Sequence, residues 1–222
     1  KKLQGINVTT PHKQAVIPFL DLVINDAKKT SSVNTIYLNN ENKIVGDNTD
    51  VYGFDYSFIK ILKEKESSRK NIMILGAGGV TPSIILALAK KKFKKIFISN
   101  RTVEKAKLIA KKFAFVEIIL WENIYNKAQD MDIIINATSL GMKNGIDFNQ
   151  IIKKFKTELI YYDVIYNPLE TTMLKYFKEK KIKTFNGLEM FLYQAQKSFY
   201  LWNKIKPEID EDVKKTIISK LK

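Results

Sequence analysis

The 222-residue chain contains no cysteine and only one histidine, His12. The absence of cysteine excludes disulfides, thiolate nucleophiles and cysteine-ligated metal sites. A single imidazole argues equally against a histidine-rich metal centre, so we expect no bound metal. No apolar run approaches the roughly 20 residues that span a bilayer, and no signal-peptide pattern opens the chain. The sequence therefore predicts a soluble, cytoplasmic protein that does not engage a membrane.

Arginine is also scarce, since Arg69 and Arg101 are the only arginines among 38 basic residues, while the formal net charge is +15. Such a charge raises the question of a nucleic-acid partner, because clustered cations gain affinity from counterion release. Base and phosphate recognition favours arginine, however, and the lysines are dispersed along the chain. We therefore favour a solvated lysine-rich surface over nucleic-acid binding, which would predict a steep salt dependence of DNA affinity.

The first part of the chain is irregular. Gly5–Val8 reads as an extended segment with nothing before it to pair with, and a short helix is predicted between Pro11 and Pro18. Two short strands around a polar turn predict a hairpin, and a helix follows; these elements cover 34–38, 43–45 and 52–65. Because the first motif begins almost at once, we expect residues upstream of Lys1 to be missing from this sequence.

From Asn71 onward, apolar runs of buried-strand type alternate with helical patterns. The predicted strands cover 72–75, 96–99, 116–120, 132–136 and 159–164. The predicted helices cover 82–91, 103–112 and 169–180, and two more follow from Leu188 and Glu208. This alternation predicts a doubly wound parallel sheet of the Rossmann type. We therefore expect an α/β protein with two domains.

The expected boundaries follow from this change of pattern. A partial α/β substrate domain, incomplete at its N-terminus, would cover 1–52 and be rejoined by C-terminal helices at 188–222. A Rossmann-type, doubly wound nucleotide-binding domain would cover 53–187.

The glycine-rich segment Gly76-Ala77-Gly78-Gly79 lies directly between a predicted strand and a predicted helix. This context is typical of a dinucleotide-binding loop, where glycines allow a tight turn and close approach of a pyrophosphate to the helix N-terminus. The third position of the usual pattern is Thr81 instead of glycine. A tight turn that binds nothing is the alternative. A nucleoside-triphosphate loop is excluded, because no Gly-Lys-Ser/Thr sequence follows.

The end of the next strand distinguishes NAD from NADP, because NAD-dependent proteins place an acidic residue there to bind the ribose 2′-hydroxyl. Here the segment is Ser99-Asn100-Arg101-Thr102, which has no carboxylate to repel a 2′-phosphate. Arg101 can pair with that phosphate and stack on adenine, and Lys105 lies one helical turn further on. The sequence therefore favours NADP, although both side chains also suit an ordinary helix start on the surface.

Two polar segments of the first part offer proton-transfer groups. Asn7–Lys13 combines an amide, hydroxyls and an ammonium, and Gly46–Asp50 adds a carboxylate. Reduction of a ketone needs a hydride on carbon and a proton on oxygen, and a lysine ammonium beside a carboxylate can donate that proton. We predict Lys13 and Asp50 as this pair and assign His12 no catalytic role. The simpler interpretation of Asp50, or of Thr49, is an N-cap of the following helix.

Taken together, these segments resemble the shikimate dehydrogenase family over essentially the whole chain. The resemblance is carried, in order, by Asn7–Lys13, Val33–Thr35, Gly46–Asp50, Gly76–Gly79, Asn100–Thr102, Asn136–Met142, Tyr162–Pro168 and Asn186–Gln194. The order and spacing of the set make it highly specific. The resemblance implies an NADP-dependent oxidoreductase that reduces 3-dehydroshikimate to shikimate in the chorismate pathway of aromatic amino-acid biosynthesis, as a monomer or homodimer.

The resemblance also implies roles for single residues, with Lys13 as principal acid/base and Asp50 as its partner. The residues implied in substrate binding are Asn7, Thr9, Asn34, Tyr166 and Gln194, with Tyr166 near the substrate carboxylate. The residues implied in cofactor binding are Gly76, Ala77, Gly78, Gly79, Asn100, Arg101, Thr102, Lys105, Thr138, Val164, Gly187 and Met190. Simpler interpretations of Gly187, Met190 and Gln194 are a helix start, a core residue and a solvated helix position.

One part of the family pattern is not in this sequence: a first βαβ unit and a Ser-x-Ser motif that holds the substrate carboxylate. We expect this part to lie upstream of Lys1. Two alternatives stay open. One is a quinate or broad-specificity quinate/shikimate dehydrogenase, and the other is a non-catalytic dinucleotide-binding relative, which would have lost the Lys13 and Asp50 pair.

Overall fold

The computed structural model describes residues 3–62, 68–142 and 154–221, and the strands within these ranges form two sheets. The smaller sheet contains β1 (Gly5–Asn7), β2 (Leu22–Val23), β3 (Thr35–Leu38) and β4 (Ile44–Asp47), in the order β1-β3-β4-β2. The predicted hairpin is confirmed, because β3 and β4 pair antiparallel with Leu38 opposite Ile44. The extended first segment is β1, and it pairs with β3 further along the chain.

Two helix predictions in this part are wrong in their bounds. Turns occupy the segment after Pro11, followed by a 3-10 helix at Ile17–Phe19. The two prolines lack amide donors and restrict the residues before them, which interrupts a helical ladder. The helix predicted over 52–65 is α2 (Asp50–Ser57), which follows α1 (Asn25–Thr30) and ends where Phe58 turns into the core; 63–65 lie outside the described residues.

The larger sheet confirms the doubly wound parallel architecture. Its strands are β5 (Asn71–Leu75), β6 (Lys95–Ser99), β7 (Val116–Ile118), β8 (Ile133–Asn136), β9 (Ile160–Asp163) and β10 (Lys183–Phe185). All pairs are parallel, in the order β10-β9-β8-β5-β6-β7, which is the order of a Rossmann domain. The short edge strand β10 escaped prediction, since three residues give too little periodicity.

The remaining helices are α3 (Thr81–Leu88), α4 (Val103–Lys112), α5 (Ile124–Ala128), α6 (Thr172–Glu179), α7 (Leu188–Asn203) and α8 (Glu211–Ile218). The strands of the large sheet are rich in isoleucine, and both faces of the sheet are buried. On one face Ile72 and Ile74 pack with residues of α2, α3 and α4. On the other face Met73 and Leu75 pack with residues of α5 and α6. Helix α2, which carries Asp50, is thus anchored in the core of the large sheet.

Helices α2 and α7 cross closely at Gly53. A Cβ at Gly53 would lie 2.6 Å from the Met190 carbonyl oxygen and 3.0 Å from Gln194 Cβ. Further along α7, Trp202 Nε1 donates to Thr35 Oγ1 of the small sheet at 2.9 Å. Helix α7 therefore ties the last part of the chain to the first and places Gln194 beside α2.

We expect Gly53→Ala to lower the free energy of unfolding by about 1–3 kcal/mol, because the added methyl group would overlap the Met190 backbone. Urea unfolding of the two proteins measures the difference. Gly78→Ala is the matched control, since a Cβ at Gly78 would have no neighbouring atom within 4 Å. An equal loss of stability in both variants would contradict the crowding at the α2–α7 crossing.

Candidate active site

The predicted proton-transfer residues meet in the structure. Lys13 lies in the turns after β1 and Asp50 is the first residue of α2, and Lys13 Nζ lies 2.5 Å from Asp50 Oδ2. The two residues are only 9% and 5% exposed, respectively. A buried ion pair of this kind replaces lost hydration with one short charge-assisted bond.

Thr49 occupies the N-cap position of α2, as the simpler interpretation allowed, but neither its side chain nor that of Asp50 caps the helix. Asn48 performs that function: its Oδ1 accepts from the backbone N–H of Asp50 at 3.0 Å and of Val51 at 3.3 Å. The Asp50 carboxylate is therefore free for Lys13. Sequence reasoning assigned Asn48 no role, although Asn is a strong helix-capping residue.

Two amides complete the surroundings of the pair. Asn34 Nδ2 donates to Asp50 Oδ1 at 2.9 Å and lies 3.2 Å from Gln194 Oε1. Asn34 Oδ1 accepts from the Thr49 backbone N–H at 2.7 Å. Gln194 is half-buried, so the interpretation of a solvated helix position does not apply. Lys13, Asn34, Asp50 and Gln194, which come from four separate segments, form one contiguous polar cluster.

The other three predicted substrate residues lie outside this cluster. Asn7 and Thr9 are exposed on and just after β1. Tyr166 is half-buried and stacks on Phe191 of α7, with ring centroids 4.4 Å apart. Within the described ranges, no hydrogen bond joins any of these three side chains to Lys13 or Asp50. Their role in substrate binding stays a prediction.

The glycine segment between β5 and α3 has the geometry of a dinucleotide loop. Gly76 has φ +109°, a value that L side chains rarely adopt, and a Cβ there would lie 2.8 Å from the Ala137 carbonyl oxygen. The departure at Thr81 has a structural reason, because its Oγ1 donates to the Gly76 carbonyl at 3.0 Å and closes the loop. Open space around Gly78 leaves room for a close approach of phosphate to the backbone.

This loop touches the proton-transfer pair. A Cβ at Gly79 would lie 3.5 Å from Lys13 Cδ, so the lysine stem runs along the loop. Ser32 Oγ donates to the Gly79 carbonyl at 2.8 Å. The tertiary structure thus brings the predicted cofactor loop and the predicted acid/base pair into contact.

The segment after β6 lies beside the loop, because Gly76 N–H donates to the Ser99 carbonyl at 2.8 Å. Asn100 braces the loop: its Oδ1 accepts from the Ala77 backbone N–H at 3.1 Å and its Nδ2 donates to the Thr102 carbonyl. Arg101, Thr102 and Lys105 are exposed. Neither Arg101 nor Lys105 forms an ion pair with a described residue, so both cations are available to a phosphate group.

The later residues predicted at the cofactor site lie along the same edge of the sheet. Thr138 Oγ1 donates to Asn136 Oδ1 at 2.6 Å, and its methyl carbon faces Gly76. Gly187 begins α7, and the Val164 carbonyl occupies the place where a Cβ of Gly187 would be. Met190 is 6% exposed and packs in the core. Val164 and Gly187 therefore fix the backbone at the start of α7, and Met190 has the core position of the simpler interpretation.

A buried network that sequence reasoning missed supports the loop after β8. Asp163, at the end of β9, accepts from Asn136 Nδ2 at 3.1 Å, Thr171 Oγ1 at 2.8 Å and the Ile165 backbone N–H at 3.0 Å. Asn136 in turn holds Thr138. Burial raises the pKa of Asp163 to about 6, against hydrogen bonds that lower it. The signal for this network in the sequence was an aspartate near the end of a predicted strand.

We expect the stability that Asp163 provides to depend on pH. Because its pKa is higher in the folded protein than the ordinary 3.8, the folded state binds the proton more tightly, and this contribution is lost as pH rises from about 4 to about 6. The free energy of unfolding of the native protein, minus that of Asp163→Asn, should fall by about 3 kcal/mol over this range. Urea unfolding at several pH values measures it. If the difference in free energy of unfolding between the two proteins does not change with pH, the raised pKa of Asp163 is contradicted.

Other kinds of site are not found among residues 3–62, 68–142 and 154–221. No group of three or more His, Asp or Glu side chains there could hold a metal ion. No helix in these ranges is long and apolar enough to cross a membrane. Two cavities of about 420 and 250 Å³ are lined by residues other than the four of the polar cluster.

A Rossmann domain whose glycine loop touches a buried lysine–carboxylate pair defines a dinucleotide-dependent oxidoreductase. Comparison with known families identifies the family of oxidoreductases to which the chain belongs. Residues 60–164 match the model of "Shikimate / quinate 5-dehydrogenase", and residues 1–36 match that of the "Shikimate dehydrogenase substrate binding domain". A shikimate dehydrogenase (NADP(+)) of Pelagibacter ubique (strain HTCC1062) is 47% identical over 212 residues, which are 96% of this chain and 77% of that protein. The chain belongs to the shikimate dehydrogenase family, as its motifs predicted.

Solved structures agree with this assignment. A crystal structure of a shikimate dehydrogenase in complex with NADP+ is similar at a TM-score of 0.85 and 38% identity, over 98% of this chain and 77% of that one. A quinate dehydrogenase from Corynebacterium glutamicum in complex with NAD is similar at a TM-score of 0.84 and 27% identity, over 98% of this chain and 78% of that one. Both substrate classes of the family therefore occur among proteins of this fold.

Proposed function

We propose that this chain is an NADP-dependent shikimate dehydrogenase that reduces the ketone of 3-dehydroshikimate to shikimate with NADPH. One observation carries the proposal: the buried Lys13–Asp50 pair lies against Gly79 of the dinucleotide loop. A proton donor and a hydride donor must reach the same carbonyl group from two sides, and this contact supports that arrangement. The pathway role that follows is biosynthesis of aromatic amino-acid precursors.

Bound NADPH supplies the hydride that is added to the carbonyl carbon. Lys13 Nζ carries the proton that the carbonyl oxygen receives. Negative charge develops on that oxygen in the transition state, which makes an ammonium its favoured neighbour. Asp50 orients that ammonium, and the bond from Asn34 fixes the second carboxylate oxygen. Asn34 and Gln194 adjoin the pair and are placed to contact hydroxyl groups of the substrate.

The residues present fit a dinucleotide with a 2′-phosphate. The backbone of Gly76–Gly79 and the N-terminus of α3 would hold the pyrophosphate, since Gly78 leaves open space there. Arg101 and Lys105 would hold the 2′-phosphate, because both are exposed cations without an ionic partner among the described residues. Asn100 contributes indirectly, by fixing the loop through the Ala77 amide.

We place the domain boundary within α2. The substrate domain comprises 1–52 and the helices at 188–222, and the NADP domain comprises 53–187. The two separate sheets and the return of α7 to the small sheet through Trp202 support this division. In this arrangement Asn7, Thr9 and Tyr166 would contribute to substrate binding, and Thr138, whose methyl carbon faces Gly76, would contribute to holding the cofactor.

A quinate or broad-specificity quinate/shikimate dehydrogenase is the second candidate, favoured by the likeness to the quinate dehydrogenase structure. Arg101 and the absence of a carboxylate at 99–102 support NADP and therefore the biosynthetic enzyme. A non-catalytic relative is disfavoured, because Lys13 and Asp50 are both present and paired. NADPH oxidation with 3-dehydroshikimate, and reduction of NAD and NADP with quinate and shikimate, separate the three. An absence of turnover with all of these substrates would overturn the proposal that this chain is an enzyme.

We expect Lys13→Ala to lower kcat by about 10²–10⁴-fold while KM changes far less, because the proton donor acts in the transition state. Steady-state kinetics of NADPH oxidation measures both constants. Lys43→Ala is the matched control, since its ion pair with Glu41 is on the surface. Removal of Lys13 leaves Asp50 buried without its partner, so circular dichroism must establish the folded fraction. An unchanged kcat would remove Lys13 from the mechanism.

We expect Arg101→Ala to raise KM for NADPH by about 10–100-fold, since hydrogen bonds to a charged group contribute about 1.5–3 kcal/mol. KM for NADH should change little, because NADH lacks the 2′-phosphate. The other arginine provides the control: Arg69 is exposed and lies before β5, so Arg69→Ala should leave both constants unchanged. Equal effects of Arg101→Ala on the two cofactors would rule out 2′-phosphate recognition.

A further inference from the structure

A second buried amide lies behind the proton-transfer pair. Asn48, between β4 and α2, is 4% exposed and uses both ends of its side chain. Its Nδ2 donates to the Ser32 carbonyl at 2.7 Å. Its Oδ1 holds the first two amides of α2, those of Asp50 and Val51, as described above. Ser83 Oγ lies 3.0 Å from Nδ2 and 3.2 Å from Oδ1 of the same amide.

Ser83 and Ser32 both lead to the dinucleotide loop. Ser83 is the third residue of α3, the helix that begins two residues after Gly79, and it is 0% exposed. Ser32 is also 0% exposed, and its hydroxyl donates to the Gly79 carbonyl at 2.8 Å. Two short hydrogen-bonded routes therefore run from the loop and its helix to one side chain, Asn48.

Asn48 in turn fixes the place of Asp50. The first amides of a helix have no partner within the helix, and Asn48 satisfies two of them because the side chains of Thr49 and Asp50 are turned elsewhere. The Asp50 carboxylate is bonded to Lys13 and Asn34, so a shift of its backbone moves the acid/base pair. A misplacement of about 1 Å can cost a reaction about 100-fold in rate.

We propose that Asn48 is a positioning residue that couples the dinucleotide site to the Lys13–Asp50 pair through Ser83 and Ser32. Occupation of the loop by NADPH immobilises α3 and the Gly79 carbonyl, and the two serines transmit this restraint to Asn48. Asn48 bonds to neither the Lys13 ammonium nor the Asp50 carboxylate, so it acts only through the backbone of α2. The inference rests on the proposed function and adds to it an internal link between cofactor binding and the proton donor.

Ser83→Ala is the decisive variant, because it removes one link to α3 and leaves the Asn48 cap of α2 in place. We expect kcat to fall by about tenfold with KM for NADPH nearly unchanged. Asn48→Ala should lower kcat further, and the double variant should be no slower than Asn48→Ala alone, because both changes interrupt the same route. Ser57→Ala is the control: it removes a buried hydroxyl from α2, where Ser57 contacts Tyr162, and should keep native kcat.

Hydrogen exchange supplies a readout that does not depend on turnover. In the native protein, NADPH should slow exchange of the Asp50 and Val51 amides, and Ser83→Ala should weaken this slowing while NADPH still binds, because only the route through Ser32 remains. Native kcat together with retained slowing in Ser83→Ala would overturn the coupling, as would an absence of slowing in the native protein. If the native protein shows the slowing but turns over none of the substrates, the coupling stands and the proposed reaction fails.

Discussion

The buried ion pair between Lys13 and Asp50 is the interaction on which the rest of the site depends. Two charges removed from water are costly unless each finds its partner and its remaining polar atoms find hydrogen bonds. Here the second oxygen of Asp50 accepts from Asn34, which is itself held by the backbone of Thr49. The pair therefore exists only because β3, the start of α2 and the turns after β1 meet at one point.

The glycines of this protein meet different structural requirements at different positions. Gly53 allows two helices to cross at contact distance, which brings Gln194 to Asn34. Gly76 supplies a left-handed turn at the end of β5, and Gly78 leaves space in front of the loop. Packing explains the first glycine, and the open space at the last is what the proposed cofactor site requires. A shared residue type thus reflects two constraints that only the surrounding atoms distinguish.

Buried side-chain networks lie under both loops that face the proposed cofactor. Asn48 connects α3 to α2, and Asn136 connects the loop after β8 to Asp163. In a low-dielectric interior such networks are stable only when fully bonded, and then they hold their segments in one geometry. The raised pKa of Asp163 reflects how completely its carboxylate is removed from water. Both loops are in this way fixed by buried polar side chains beneath them.

The sequence by itself determined the doubly wound sheet, the β3–β4 hairpin, the glycine loop and the family, because periodicity, turn residues and motif order are local properties of the chain. It also placed Lys13 and Asp50 among the candidates. Their pairing was decided by tertiary structure, since 37 residues separate them and the alternative role of Asp50 as a helix cap is locally just as reasonable. Asn48 took that role because its amide reaches the first amides of α2 while its other end bonds to Ser32. The end of α2 before Phe58, the short strand β10 and the core position of Met190 were likewise settled by packing. Burial and contact between distant segments are properties of the folded chain, and a local pattern does not contain them.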